Sequence, residues 1–107
     1  MPMKFFLIEI SYTAPLTEID RVLQKHRAFL QTGYDQKRLL LSGPQNPRKG
    51  GVLIVRGESL EEVQQFFAQD PYQFEKLATY RFVEFTPVKH LPEVAGWIGA
   101  PVQAPNP

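Results

Sequence analysis

The segment that decides the fold spans residues 37–56 and reads KRLLLSGPQNPRKGGVLIVR. It contains two short apolar runs, at residues 37–42 and 52–56, that are rich in leucine, isoleucine and valine and predict β-strands. The residues between these runs include three glycines and two prolines, a composition typical of a loop. The segment is therefore predicted to be a hairpin with a long loop.

A helix is predicted on each side of this hairpin. Upstream, apolar residues recur at helical spacing over residues 16–30, and Gly33 is the expected C-terminal end. Downstream, Ser59 and Glu62 form a capping box that marks a helix start. The proline after Asp70 is expected to end this second helix.

Two further strands, at residues 4–12 and 80–88, complete the pattern. The order βαββαβ predicts an α+β, ferredoxin-like fold, with a four-stranded antiparallel sheet covered on one face by two helices. The length of 107 residues fits one domain, which we expect over residues 1–90, followed by a proline-rich C-terminal tail over residues 91–107.

The other face of the predicted sheet also carries apolar side chains. In the first strand, Phe6 and Ile8 lie on one face while Phe5 and Leu7 lie on the other. An apolar sheet face of this size rarely stays in water, so we expect a homodimer formed through the open sheet face. Trp97 in the tail is expected to add an apolar contact onto the partner subunit.

Composition excludes several classes of function. The 12 basic and 11 acidic side chains give a net charge of +1, which predicts neither a nucleic-acid partner nor an anionic membrane surface as a partner. The absence of cysteine excludes disulfides and thiolate chemistry. Two histidines without a carboxylate cluster predict no metal site. No apolar run approaches the ~20 residues of a membrane span, and a cytoplasmic location is expected.

Two polar residues fall on predicted buried stripes. His26 lies on the inward stripe of the first helix, where it is either a structural histidine bonded to backbone or a general acid or base. Asp70 continues the buried stripe of the second helix to its C-terminus, where the helix dipole disfavours a carboxylate. It is either a partner for the imidazole or a surface residue that caps a turn.

These residues and their spacing resemble the YciI-like (YCII-related) family. The likeness rests on the helix-1 His26, the strand and turn RLLLSGP over residues 38–44, the helix start SLEEV over residues 59–63, and DPY at residues 70–72. It covers about residues 4–89. Two positions depart from the family pattern, since Leu23 stands where an arginine is common and the loop after Pro44 is short and basic.

The resemblance implies a dimeric α+β barrel with a His–Asp pair in a pocket, carried here by His26 and Asp70. Some relatives in this family act on small, often aromatic, ring compounds, including dehydrochlorination of a hydroxylated ring. Ser42, Gly43, Pro44 and Tyr72 are the further candidates for contacts with a small-molecule ligand. Ser42 is either a donor to that ligand or an ordinary strand serine, and Tyr72 either lines the pocket or covers the core. A phosphate-binding loop at residues 43–51 is disfavoured because the GK[ST] ending is missing.

The leading functional hypothesis is a small-molecule enzyme of the lyase or isomerase type that transfers protons on ring or enol substrates. His26 would be the general acid or base and Asp70 would orient it. Proton transfer of this kind requires no cofactor and no metal. The alternatives are a non-catalytic module that binds a metabolite and a structural dimer in which the His–Asp contact stabilises the fold.

Overall fold

The computed structural model describes residues 3–99. Four strands form one antiparallel sheet in the order β2-β3-β1-β4, which confirms the predicted ferredoxin-like α+β fold. The strands are β1 (Lys4–Tyr12), β2 (Leu39–Pro44), β3 (Gly50–Gly57) and β4 (Ala78–Phe85). The helices are α1 (Leu16–Arg21), α2 (Leu23–Asp35), α3 (Leu60–Phe67), α4 (Pro71–Phe74) and α5 (Ala95–Gly99), with a 3₁₀ turn at Pro92–Val94.

The core lies between the helices and one face of the sheet. Alternation along β1 directs Phe6, Ile8 and Ile10 to this face, where each is at most 2% exposed. Helix α3 contributes Val63 and Phe67, which are equally buried. Burial of one sheet face against helices is the driving force for this arrangement, since apolar area is removed from water on both sides of the layer.

The first helix differs from its prediction at both its middle and its end. It is divided at Val22, whose backbone leaves helical geometry, and α2 continues past Gly33 to Asp35. Gly33 is a packing residue, because a Cβ there would lie 2.3 Å from a methyl carbon of Leu39. The prediction of Gly33 as the helix end was therefore wrong, and the chain instead turns at Lys37, which has a φ of 64°.

The second helix also ends differently. Helix α3 stops at Phe67, and Asp70 is the N-cap of the separate short helix α4, where its side chain accepts a hydrogen bond from the Tyr72 N–H. One bond of the predicted capping box is present, since the Ser59 hydroxyl accepts from the Glu62 N–H. The Glu62 carboxylate accepts from the N–H of Glu58, one residue before the N-cap. Asp70 thus lies at a helix start, where a carboxylate is favourable.

The second sheet face is only partly covered. Leu7, Ile54 and Val83 lie side by side on it and are partly exposed, and Leu41 on the edge strand is 53% exposed. Helix α5 covers the other end of this face.

Trp97 supplies the main contact of helix α5 with the sheet. Its ring packs edge-on against Phe5 at 5.8 Å, and its indole N–H donates to the Lys37 carbonyl at 3.0 Å. The guanidinium of Arg56 lies 5.2 Å from the centre of the same ring. This tryptophan therefore contacts its own chain, where a contact onto a partner subunit was expected. Residues 100–107 of the predicted tail lie outside the described residues.

No helix within residues 3–99 is both long enough and apolar enough to cross a membrane.

Close approach of two strands requires a glycine at position 50. A Cβ on Gly50 would lie 1.8 Å from the backbone carbonyl oxygen of Ile10, so β3 and β1 would have to separate. We expect Gly50→Ala to lower the free energy of unfolding by about 1–3 kcal/mol, measured by urea denaturation. Gly43→Ala is the matched control, since a Cβ there has no neighbour within 4 Å. Equal stability of the two variants would contradict this close approach.

Candidate active site

A cavity of about 360 Å³ lies between α2 and the end of the β2–β3 hairpin. One wall is the helix face formed by Leu23, His26, Arg27 and Leu30, which recur at helical spacing. The side chains and backbone that complete the lining come from the strands, the hairpin loop and α4: Ile10, Tyr12, Ser42, Gly43, Pro44, Arg48, Gly51, Val52, Leu53 and Tyr72.

His26 and Asp70 form a direct pair at the inner wall of this cavity. The Nδ1 atom of His26 lies 2.8 Å and 3.0 Å from the two carboxylate oxygens of Asp70. Asp70 is fully buried and His26 is 8% exposed, so the pair is shielded from bulk water. A hydrogen bond in such surroundings is much less screened than one on the surface.

Asp70 receives hydrogen bonds from three donors. Besides His26, the Tyr72 N–H donates to Oδ1 at 3.1 Å and the Tyr80 hydroxyl donates to Oδ2 at 2.5 Å. A buried carboxylate is costly unless its lone pairs are satisfied, and these three donors provide that compensation. They also fix the carboxylate in one orientation toward the imidazole.

Tyr80 remains a donor over a wide range of pH. Burial raises the pKa of the Tyr80 phenol, and the negative charge and hydrogen bond of Asp70 raise it further. Alternation along the last strand places Tyr80 on the same face as Phe82, and a buried tyrosine hydroxyl usually has a partner. That signal was present in the sequence, although it did not identify Asp70 as the partner.

Tyr72 packs against one face of the His26 imidazole ring. Its ring stacks on that of His26 with centroids 3.9 Å apart and planes inclined by 14°. Burial raises the pKa of Tyr72 to about 12, so its hydroxyl is protonated at neutral pH. This hydroxyl is near Tyr12, but it makes no hydrogen bond of good geometry to any residue within 3–99.

The pair fixes which nitrogen of His26 is available for chemistry. A carboxylate only accepts hydrogen bonds, so the tautomer that satisfies Asp70 carries its proton on Nδ1. The lone pair is then on Nε2, which has no hydrogen-bond partner among the described residues. A neutral imidazole held in this way can accept a proton from a ligand in the cavity.

The predicted contact residues Ser42, Gly43 and Pro44 also line the cavity, at the end of β2. The Ser42 hydroxyl lies 2.6 Å from the hydroxyl of Tyr34, a pair in which either group can donate. Gly43 keeps its position open, with no atom within 4 Å of where a Cβ would stand. The fold thus brings five of the six predicted site residues to one cavity and places Asp70 directly behind His26.

Two arginines at the cavity had no assigned role in the sequence. Arg48, from the basic loop, donates to the Asp20 carboxylate at 2.6 Å and lies 5.9 Å from the centre of the Tyr12 ring. The hydrogen bond to Asp20 raises the pKa of Arg48. Arg27 follows His26 on α2, and only its spacing of four residues from Leu23 could have indicated that it faces the cavity.

No cluster of three or more histidine or carboxylate side chains suited to a metal ion occurs in the described part of the chain.

Comparison with known proteins agrees with the fold. The family model described as "YCII-related domain" matches residues 3–86. No curated protein matches the chain.

Among solved structures, the chain is similar to 5-chloro-2-hydroxyhydroquinone dehydrochlorinase (TftG) from Burkholderia phenoliruptrix AC1100, determined with 2,5-dihydroxybenzoquinone. The TM-score is 0.65 at 22% identity, covering 83% of this chain and 97% of that one. It is also similar to SnoaB, a cofactor-independent oxygenase from Streptomyces nogalater, with a TM-score of 0.52 at 16% identity, covering 86% and 99%.

The hydrogen bond from Tyr80 to Asp70 has a measurable effect on stability. We expect Tyr80→Phe to lower the free energy of unfolding by about 1.5–3 kcal/mol, because it removes a donor from a buried charge. Tyr34→Phe is the control, since its hydroxyl contacts only the neutral Ser42 and its loss is expected to cost about 0.5–1.5 kcal/mol. Urea denaturation of both variants measures the difference. A smaller loss for Tyr80→Phe than for Tyr34→Phe would contradict the role of Tyr80.

Proposed function

The chain belongs to the YCII-related domain family, and we propose that it is an enzyme that transfers a proton on a small ring or enol substrate. The observation that carries this proposal is the His26–Asp70 pair. Nε2 of His26 is left available by this pair, and His26 lines a cavity of about 360 Å³. That volume lies near the lower end of the range for ligand sites, which suits a compact substrate.

In the proposed reaction, Nε2 of His26 removes a proton from a carbon or oxygen atom of the bound ring. The electron pair of the broken bond moves into the ring, where it either expels an anionic leaving group or is held as an enolate. Asp70 stabilises the imidazolium that forms, as the acid of a catalytic triad does. The imidazolium then returns its proton at another position, in an isomerase, or loses it to water, in a lyase.

The reaction named for TftG, removal of chloride and a proton from a hydroxylated ring, is of this class. Its similarity to the present chain is a similarity of fold, so its substrate is a starting compound for screening. The chain also differs from the family pattern at Leu23 and in the loop containing Arg48, and both residues line the cavity. A substrate with different ring substituents is therefore part of the proposal.

Replacing the proposed base tests the mechanism. We expect His26→Gln to lower kcat/KM by about 10²–10⁴-fold on any substrate that the protein converts, because it removes general acid–base catalysis. Chloride release and the ultraviolet spectrum of the ring report turnover in a screen that begins with 5-chloro-2-hydroxyhydroquinone. Lys25→Gln, an exposed change on the same helix, is the control.

Full turnover by His26→Gln would exclude the mechanism. Ligand binding in the cavity without conversion of any ring compound would favour the alternative, a module that binds a metabolite. The stability of Asp70→Asn does not distinguish a functional from a structural role of the His–Asp pair. Asp70 is buried and caps α4, so its replacement destabilises the fold whichever role the pair has.

We further propose that two copies of the chain associate through the open sheet face. Leu7, Ile54, Val83 and Leu41 form an apolar surface there that helix α5 leaves uncovered. A second copy would bury this surface against an identical one, as in a two-fold symmetric dimer.

A charge on this surface tests the association. Leu41 is 53% exposed in the single chain, so Leu41→Glu is expected to leave the fold intact and to convert the dimer to a monomer. Analytical ultracentrifugation measures the mass. Phe74→Glu is the matched control, because Phe74 is 73% exposed on the helical side of the molecule. A monomeric wild-type protein, or an undisturbed dimer in Leu41→Glu, would contradict the proposal.

A further inference from the structure

The cavity has an unequal distribution of charge. Its lining residues include two arginines, Arg48 and the exposed Arg27, and no aspartate or glutamate. Asp70 does not line the cavity, and its charge is engaged by His26 and the two tyrosine donors. A cavity with cationic and no anionic side chains in its lining attracts an anionic ligand.

The two arginines differ in how far their charge is neutralised. Arg48 is bound to Asp20, so part of its charge is compensated within the chain. Arg27 forms no ion pair within the described range 3–99. Its neighbours at three and four residues along α2 are two leucines and two glutamines, at positions 23, 24, 30 and 31, so its own helix offers no acidic partner.

A second donor of the lining is only weakly engaged. The hydroxyl of Tyr72 is buried and protonated at neutral pH, and its neighbour is the hydroxyl of Tyr12. Burial raises the Tyr72 pKa, and the contact with Tyr12 raises it further without forming a hydrogen bond of good geometry. A buried donor without an acceptor is costly, and a ligand oxygen would satisfy it. Arg27 and Tyr72 can therefore donate hydrogen bonds to a ligand of this cavity, and Nε2 of His26 can accept one.

We propose that the ligand of this cavity is a compact ring acid whose anionic group is bound by Arg27, with the Tyr72 hydroxyl as a further donor to the ligand. Leucine side chains of the lining, at positions 23, 30 and 53, provide apolar contacts for the ring. A guanidinium presents a fork of N–H donors that matches a carboxylate or an enolate pair of oxygens. This inference names the substrate class for the proposed proton transfer and rests on that function.

Benzoate and benzamide provide the test, since they have the same ring and nearly the same shape but differ in charge. Binding to the wild-type protein is measured by isothermal titration calorimetry and by ¹H–¹⁵N chemical-shift changes. We expect benzoate to bind at least about tenfold more tightly than benzamide, as a charged hydrogen bond allows. Arg27→Gln is expected to remove this difference, whereas Arg27→Lys retains part of it.

Control variants locate the effect. Lys25→Gln removes the same charge from the same helix away from the cavity and is expected to change benzoate affinity less than twofold. Tyr72→Phe is expected to weaken benzoate severalfold. Equal binding of the two probes, binding of neither at millimolar concentration, or loss of benzoate through Arg48→Gln with no effect of Arg27→Gln would each overturn the proposal.

The outcome is separable from that of the proposed reaction, because the binding test requires no turnover. If benzoate binds no more tightly than benzamide while His26→Gln still abolishes conversion of a true substrate, the proposed substrate class is wrong and the proposed proton transfer stands. If benzoate binds as expected while His26→Gln leaves turnover unchanged, the anion site stands and the base is wrong.

Discussion

The rest of the site depends on one buried charge, the carboxylate of Asp70. Removing a carboxylate from water is unfavourable unless donors replace the lost solvation, and here three donors from three elements do so. Helix α2 supplies the imidazole, α4 supplies a backbone N–H, and β4 supplies a phenol. Hydrogen bonds to this one group connect the three elements, so the geometry of the candidate site and the stability of the fold are coupled.

The sheet places the cavity beside that charge. Gly50, the first residue of β3, allows that strand to approach β1 closely. The cavity lies between the same end of the hairpin and α2. The division of the first helix at Val22 starts a separate helix whose inward stripe carries His26. The imidazole stacks on the ring of Tyr72, and His26 lines the same cavity as residues of the hairpin.

The two sheet faces have different functions. One face is buried by the helices and forms the core. The opposite face is divided between helix α5, which is anchored through Trp97, and an apolar area that is still partly exposed in the single chain. Such a division allows the C-terminal segment to close one end of the sheet while the remaining area supports the proposed association of two copies.

The order of elements, the apolar alternation and the capping box were determined by local sequence, because periodicity and capping chemistry act over a few residues. His26 and Asp70 were also identifiable, as polar residues on buried stripes. Tertiary structure alone decided that Asp70 is buried against His26, that Tyr80 donates to it, and that Arg27 and Arg48 line one cavity. These contacts join residues far apart in the chain, and their geometry depends on how strands and helices pack, which no local pattern encodes.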